Sequence, residues 1–121
     1  MANINYKAKT TKPKAMIIYN VTSNVDESIH DKWMAWMMEK HIPKIMETGK
    51  FYKIKIVKVL VDEDHGGTTY STQYFADSRK KLEEYYKDHA PELRAESQQL
   101  FADKVLQFRT ELEIIKEFKS V

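Results

Sequence analysis

A short His-x-Pro motif occurs twice in this chain, each time in the same setting. The octapeptides MEKHIPKI and YKDHAPEL both place His-x-Pro between charged residues and an aliphatic one. His41 follows Met16 by 25 residues, and His89 follows Gly66 by 23. Met16 and Gly66 each stand at the start of a segment with strand-like composition. The spacing therefore predicts two β-α-β units, with the two histidines at nearly equivalent helix positions.

Hydrophobic periodicity predicts four strands and two helices in the order β-α-β-β-α-β. The strands are expected at 16–22, 51–61, 68–75 and 105–115, and the helices at 26–47 and from 77 or 78 to about 101. This order predicts an α+β domain with a ferredoxin-like fold. We expect a four-stranded antiparallel sheet with both helices on one face.

Each proline of the repeated motif is expected to kink its helix. A proline has no N–H, so Pro43 and Pro91 would each free the backbone carbonyl four residues before them. One interpretation is structural, with both histidines stabilising the kinks and packing against the sheet. The other is functional. In it one histidine, His41 in preference to His89, lines a pocket as a general base or a ligand contact.

The sheet face without helices is expected to be polar. Strand alternation assigns these residues to it: Asn20, Lys53, Lys55, Gln73, Gln107, Arg109 and Glu111. A sheet of this length with a polar face is expected to pack against a second copy, which closes a dimeric α+β barrel. The wide apolar arc of the first helix and the change of alternation near Val57 fit such a homodimer.

Composition narrows the classes of partner. Residues 1–15 carry four lysines and no acid, so we expect a flexible basic tail before a single domain at 16–121. Without the tail lysines the formal net charge falls from +2 to −2, which disfavours nucleic-acid binding. The absence of cysteine and of a long apolar run predicts a cytoplasmic protein that does not enter a membrane.

No metal or cofactor is expected. The four histidines are scattered along the chain, and no His-Glu-x-x-His motif occurs. His65 stands beside three acidic residues in the predicted hairpin turn. A solvated turn is the favoured interpretation there, and a loosely held cation is the alternative.

Several motifs together resemble a known family. MIIYNVT, W-x-x-W-M followed by HIP and TGKF, then YSTQY, HAPELR and FRTELEI are similar to a small bacterial family known only as a domain of unknown function. The resemblance covers about residues 16–115. It implies a dimeric α+β barrel of ferredoxin-like fold and no established activity. More distantly, the helical His-x-Pro resembles dimeric barrel families that include ethyl-tert-butyl-ether-degradation-type proteins and antibiotic-biosynthesis-type monooxygenases. That likeness draws attention to His41 and Trp36.

The leading expectation is a homodimeric barrel that binds a small organic molecule between sheet and helices. The candidate ligand contacts are Asn20, Trp36, Tyr70, Gln73, His89, Gln107 and Arg109. Arg109 is interpreted either as part of an ion-pair network with Glu111 or Glu113, or as an anion-binding group. One alternative is a cofactor-independent oxygenase or isomerase with His41 as the catalytic acid or base. Another is a structural or regulatory module without a ligand.

Overall fold

A computed structural model describes residues 16–62 and 66–120 of the chain. The expected basic tail at 1–15 and the turn histidine His65 lie outside the described residues. In the described part of the chain, no helix combines the length and the hydrophobicity needed to cross a bilayer.

The elements follow the predicted order, with each helical region divided in two. The first helical region comprises a 3-10 turn, helix α1, a π-helical turn and helix α2, and the second comprises helices α3 and α4. Their bounds are β1 Ile17–Val25, the 3-10 turn Glu27–Ile29, α1 His30–Trp36, the π turn Met37–His41, α2 Ile42–Glu47, β2 Lys53–Lys58, β3 Thr68–Ala76, α3 Arg79–Asp88, α4 Ala90–Phe101, a second 3-10 turn Ala102–Lys104 and β4 Val105–Glu113.

The four strands form one antiparallel sheet in the order β2-β3-β1-β4. Strand β1 lies at the centre, with Val21 opposite Thr72 of β3 and Arg109 of β4. This arrangement confirms the predicted ferredoxin-like α+β fold. Strand β1 extends further than expected, because residues 23–25 also pair with both neighbouring strands. Strand β2 is shorter than the apolar run that predicted it.

Alternate residues of β1 point into the core under the helices. The buried set on this strand is Ile17, Tyr19, Val21, Ser23 and Val25. One cluster of buried side chains joins β1 and β3 to α2, α3 and α4, and contains Ile45, Leu82 and Tyr85. A second joins the sheet to α1 and the end of α4, and is centred on Trp33. Both helical regions therefore cover the same sheet face.

The face assignment of β4 was wrong. Residues opposite each other in an antiparallel pair share a face, and Gln107, Arg109 and Glu111 lie opposite Ser23, Val21 and Tyr19, which face the helices. These three polar residues therefore belong to the helix-covered side.

The apolar residues of β4 instead lie on the open face. Leu106 and Phe108 are 65% and 62% exposed, and their partners on β1 are Asn24 and Thr22. Strand β4 is a sheet edge that follows a 3-10 turn, at the start of which Ala102 has a positive φ (48°). The register with β1, and not the apolar character of the side chains, therefore decides which residues of β4 face the helices.

The two prolines are accommodated differently. Before Pro43 the helix widens, and Ile42 donates its N–H to the carbonyl of Met37, five residues back. Before Pro91 the helix is interrupted, because His89 leaves the helical conformation (φ −128°, ψ −41°) and a new helix begins one residue later. Pro91 then occupies the first turn of that helix, where a missing N–H costs little.

Candidate functional site

A small cavity lies between the sheet and both helical regions. It is lined by Trp36 and His41 from the first region, by Tyr19 and Thr72 from the sheet, and by Arg94 from α4. Its volume is about 30 Å³. A buried water needs roughly 10–15 Å³ on the same measure, so the cavity admits a small polar group and excludes a ring.

A wider groove adjoins this cavity between α4 and β4. Its volume is about 470 Å³, and its walls include Pro91, Ala95 and Val105. The cavity and the groove share four lining residues, which are Arg94, Ser97, Gln107 and Arg109. The groove is therefore the outer part of one site, and the cavity is its inner end.

His41 reaches the cavity because of the π turn. In that turn residues five apart lie one above the other, and the rings of Trp36 and His41 stack with centroids 4.3 Å apart. Burial lowers the pKa of His41 to about 4, although Glu96 opposes the shift. The ring is therefore neutral at pH 7, with its buried Nδ1 lacking any hydrogen-bond partner among the described residues.

Thr72 presents a second buried polar atom to the same cavity. The residue is 1% exposed, and within the described protein its Oγ1 has no hydrogen-bond partner. A buried polar atom without a partner costs about 1–3 kcal/mol. His41 Nδ1 and Thr72 Oγ1 are the two such side-chain atoms of the described chain, and both residues line this cavity.

Two arginines meet at the junction of cavity and groove. Arg94 Nη2 donates to the Tyr19 hydroxyl at 3.0 Å, and Arg109 Nε donates to the same oxygen at 2.9 Å. Arg109 Nη2 also donates to Gln107 Oε1 at 3.2 Å. Tyr19 is 3% exposed, so its hydroxyl anchors both guanidinium groups at the inner wall of the groove.

The expected ion pairing of Arg109 with Glu111 or Glu113 is not found among the described residues. Glu111 instead accepts hydrogen bonds from Tyr86 at 2.5 Å and from Arg79 at 2.8 Å. The bond from Tyr86, followed by the bond from Arg79, lowers the pKa of the Glu111 carboxyl. Glu111 therefore already has a cationic partner on α3.

The structure brings together four of the sequence-predicted site residues and separates the other four. Trp36, His41, Gln107 and Arg109 all line the cavity. The separated residues are Asn20, Gln73, Tyr70 and His89.

Asn20 and Gln73 lie opposite each other on the open sheet face, where Ser71 donates to Asn20 at 2.5 Å. The Tyr70 hydroxyl contacts His30 Nε2 at 2.6 Å, in the second core cluster. These three residues therefore lie away from the cavity.

His89 also lies away from the cavity. It lines a shallow surface groove with Lys44, Thr48 and Glu92. Its ring stacks on Tyr85 with centroids 6.3 Å apart. Neither His89 nor His41 bonds a freed backbone carbonyl through its ring in the described part of the chain, so the expected kink-stabilising bonds are absent there.

Sequence reasoning missed Tyr19, Thr72, Arg94 and Ser97. The strand alternation placed Tyr19 and Thr72 on the core side but carried no sign that the hydroxyl of Thr72 lacks a partner. Arg94 stands three residues after Pro91, and Arg94 and Ser97 lie one helical turn apart on α4. That spacing was the available signal for a polar stripe facing the sheet.

Comparisons with known proteins agree with this fold. The family described as "Domain of unknown function (DUF4286)" matches residues 16–115. No curated protein matches the chain. Among solved structures, a dimeric ferredoxin-like protein from an uncultured marine organism is similar, with a TM-score of 0.58 and 15% sequence identity. The alignment covers 87% of this chain and 100% of that protein.

Proposed function

The chain belongs to the DUF4286 family, which is defined without an activity, and we propose that it is a homodimer that binds a small organic molecule in the groove between α4 and β4. The observation that carries the proposal is the pair of unpartnered polar atoms, His41 Nδ1 and Thr72 Oγ1, at one cavity. A bound polar group would give both atoms the partner that the described protein does not provide.

The dimensions of the site support a ligand with two parts. The inner cavity of about 30 Å³ suits a polar head group, and the groove of about 470 Å³ suits an organic body. Ligand pockets in proteins commonly measure about 300–1,000 Å³. The apolar walls at Pro91, Ala95 and Val105 supply contact area, and the arginines and Gln107 supply orientation.

A fragment screen by ligand-detected NMR tests the proposal. We expect fragments that bind the wild-type chain to bind Thr72→Val about five- to tenfold more weakly, because valine keeps the shape and removes the hydroxyl. Thr48→Val is the matched control, since Thr48 lies outside the groove between α4 and β4 and outside its inner cavity. Fragments that bind both variants and the wild type equally would contradict the proposed site.

The open sheet face supports the homodimer. Leu106, Phe108 and Leu112 form an apolar row on β4 that is 45–65% exposed. Asn20 and Gln73 lie beside this row on the same face. Exposed apolar groups in such a row are typical of an interaction surface. A second copy packed on this face would bury the row and enclose the polar centre in a barrel.

Light scattering at micromolar concentration tests the homodimer. We expect a dimeric mass for the wild type and a monomeric mass for Phe108→Asp, because a buried unpaired carboxylate opposes association. Leu100→Asp is the control, since Leu100 is a similarly exposed apolar residue on α4. A monomeric wild type would refute the dimeric part of the proposal.

The low pKa of His41 bears on the enzymatic alternative. A general base works best when its pKa lies near the working pH, and a pKa of about 4 makes His41 a weak base at pH 7. The same neutral ring is well suited to hydrogen-bond a ligand. The lowered pKa therefore supports ligand binding by His41 rather than acid–base catalysis.

A further inference from the structure

We propose that the ligand of the groove is an organic carboxylate whose charged head is held by Arg94, Arg109 and Tyr19. This inference rests on the groove site proposed above and adds the chemical class of its ligand. It starts from the position of the two guanidinium groups, which share one buried oxygen at 3.0 and 2.9 Å.

The shared oxygen places two positive charges close together. The two donating nitrogens of Arg94 and Arg109 must lie within about 6 Å of each other, a distance at which like charges repel. Both side chains are exposed, so solvent reduces this repulsion. Neither arginine forms an ion pair with any carboxylate of residues 16–62 or 66–120. A bound anion would be attracted to both guanidinium groups and would offset the repulsion between them.

The hydrogen-bonding capacity around Tyr19 also favours an anion. The Tyr19 oxygen accepts from both arginines, which leaves its own O–H to donate elsewhere. Each guanidinium keeps further N–H donors, because a guanidinium has five. The junction is therefore rich in donors, and a carboxylate offers about four acceptor sites to such a group.

The acidic residues near the site already have partners. Glu96 is paired with Lys44 at 3.0 Å, and Glu111 is paired with Arg79 and Tyr86. Their carboxylates are thus already paired with side chains on α2 and α3. An external carboxylate does not have to displace either of them.

A carboxylate also fits the space and the neutral groups beyond the arginines. Its planar head matches the fork of a guanidinium, and its second oxygen can point to the inner cavity, where the Thr72 hydroxyl can donate. The neutral His41 ring carries one N–H that suits the same role. The organic part would then lie along Pro91, Ala95 and Val105.

The test compares acids with their uncharged isosteres on the full chain. Acetate, butyrate and benzoate are titrated beside acetamide, butyramide and benzamide, with amide-proton NMR to locate binding and calorimetry to measure Kd. We expect at least one acid to shift the signals of Ser97 and Gln107 and to bind at least about tenfold tighter than its amide.

Variants then assign the preference to the arginines. Arg94→Gln and Arg109→Gln should each weaken binding of that acid at least about tenfold and leave its amide unchanged. Lys87→Gln removes an exposed positive charge on α3 and should change neither. If a glutamine variant does not fold, the corresponding lysine variant keeps the charge without the fork and should show an intermediate loss.

Three results would overturn the inference. If the amides bind as tightly as the acids and neither arginine variant has an effect, the groove binds neutral molecules. The proposal that its ligand is a carboxylate would then be wrong. Acids that move no groove signal, while fragments from the screen do, would likewise refute the carboxylate and keep the proposed function. A failure of the fragments as well would refute both.

Discussion

The two His-x-Pro segments are alike in sequence and differ in almost every structural respect. His41 lies in a continuous helix that widens into a π turn, with its ring buried against Trp36 at a cavity. His89 lies at a break between two helices, beside a shallow surface groove. Both histidines are half-buried, but the same three-residue motif encloses Nδ1 of one ring at an internal cavity and places the other ring beside a surface groove.

The difference follows from how each helix accommodates its proline. A wider turn shifts the stacking partner of the histidine from four residues back to five, which places His41 over Trp36 at 4.3 Å. An interrupted helix keeps the partner at four residues back, which places His89 near Tyr85 at 6.3 Å. π turns inside helices occur frequently at functional sites, and the present one delivers a histidine to the cavity.

Hydroxyl groups near the two histidines differ in the same way. Thr48, which lines the groove of His89, donates its hydroxyl to the carbonyl of Ile45 at 2.6 Å. Thr72, which lines the cavity of His41, has no partner among the described residues. The hydroxyl beside His89 is satisfied by the protein, whereas the buried Thr72 hydroxyl and the buried Nδ1 of His41 have no partner among the described residues. This contrast is the reason for assigning ligand binding to the first of the two histidines.

The largest effect that we expect from the difference between the two histidines is a loss of stability of the folded chain in acid. Burial lowers the pKa of His41 to about 4 in the folded chain, below the value of about 6.5 that is usual for histidine, so the unfolded chain binds the proton more tightly. The stability contributed by neutral His41 is fully present above pH 6.5 and falls as the pH decreases towards 4. The maximum loss is about 3 kcal/mol in the free energy of unfolding. Urea unfolding at several pH values measures it.

Two matched variants separate the histidines in this experiment. His41→Gln should lose much less stability than the wild type between pH 6.5 and 4, because the group that titrates is gone. His89→Gln should lose as much as the wild type, because His41 is still present. Carboxylates with lowered pKa that do not contact His41, such as Glu84 and Glu111, add a loss at lower pH that all three proteins share. Equal curves for the two variants would contradict the contrast.

A smaller effect is expected at the two threonines. Thr72→Val should leave the free energy of unfolding unchanged or raise it by about 1 kcal/mol, because it removes a buried hydroxyl that has no protein partner. Thr48→Val should lower it by about 1 kcal/mol, because it breaks a hydrogen bond. Chemical denaturation at pH 7 measures both. A destabilised Thr72→Val would show that its hydroxyl has a partner within the protein.

The sequence predicted the order of elements and the sheet well, because both depend on local periodicity. Alternating apolar residues in MIIYNVT and TTYSTQYF are buried as expected, and Ser78 caps the second helical region through a bond from the Lys81 N–H. The repeated motif also correctly indicated two β-α-β halves. These properties are set within a few residues of chain, so one sequence suffices to find them.

The candidate site depended on features that local periodicity does not encode. The faces of β4 were reversed, because apolar residues were assumed to point to the core, whereas its register with β1 turns Arg109 inward and Phe108 outward. The π turn was predicted only as a kink. Only the assembled sheet shows that Arg94 and Arg109 share the Tyr19 hydroxyl, because those residues are 75 and 90 positions from Tyr19.

The most direct test of the contrast is an NMR titration of the imidazole rings in the wild-type chain. Long-range ¹H–¹⁵N spectra from pH 7 to 3.5 follow the protonation of each ring, with His41→Gln assigning the signal of His41. We predict that His41 stays neutral through pH 6 and has its midpoint at about pH 4. A midpoint near 6.5 would show that water reaches the ring, and would contradict the assignment of His41 to a buried ligand site.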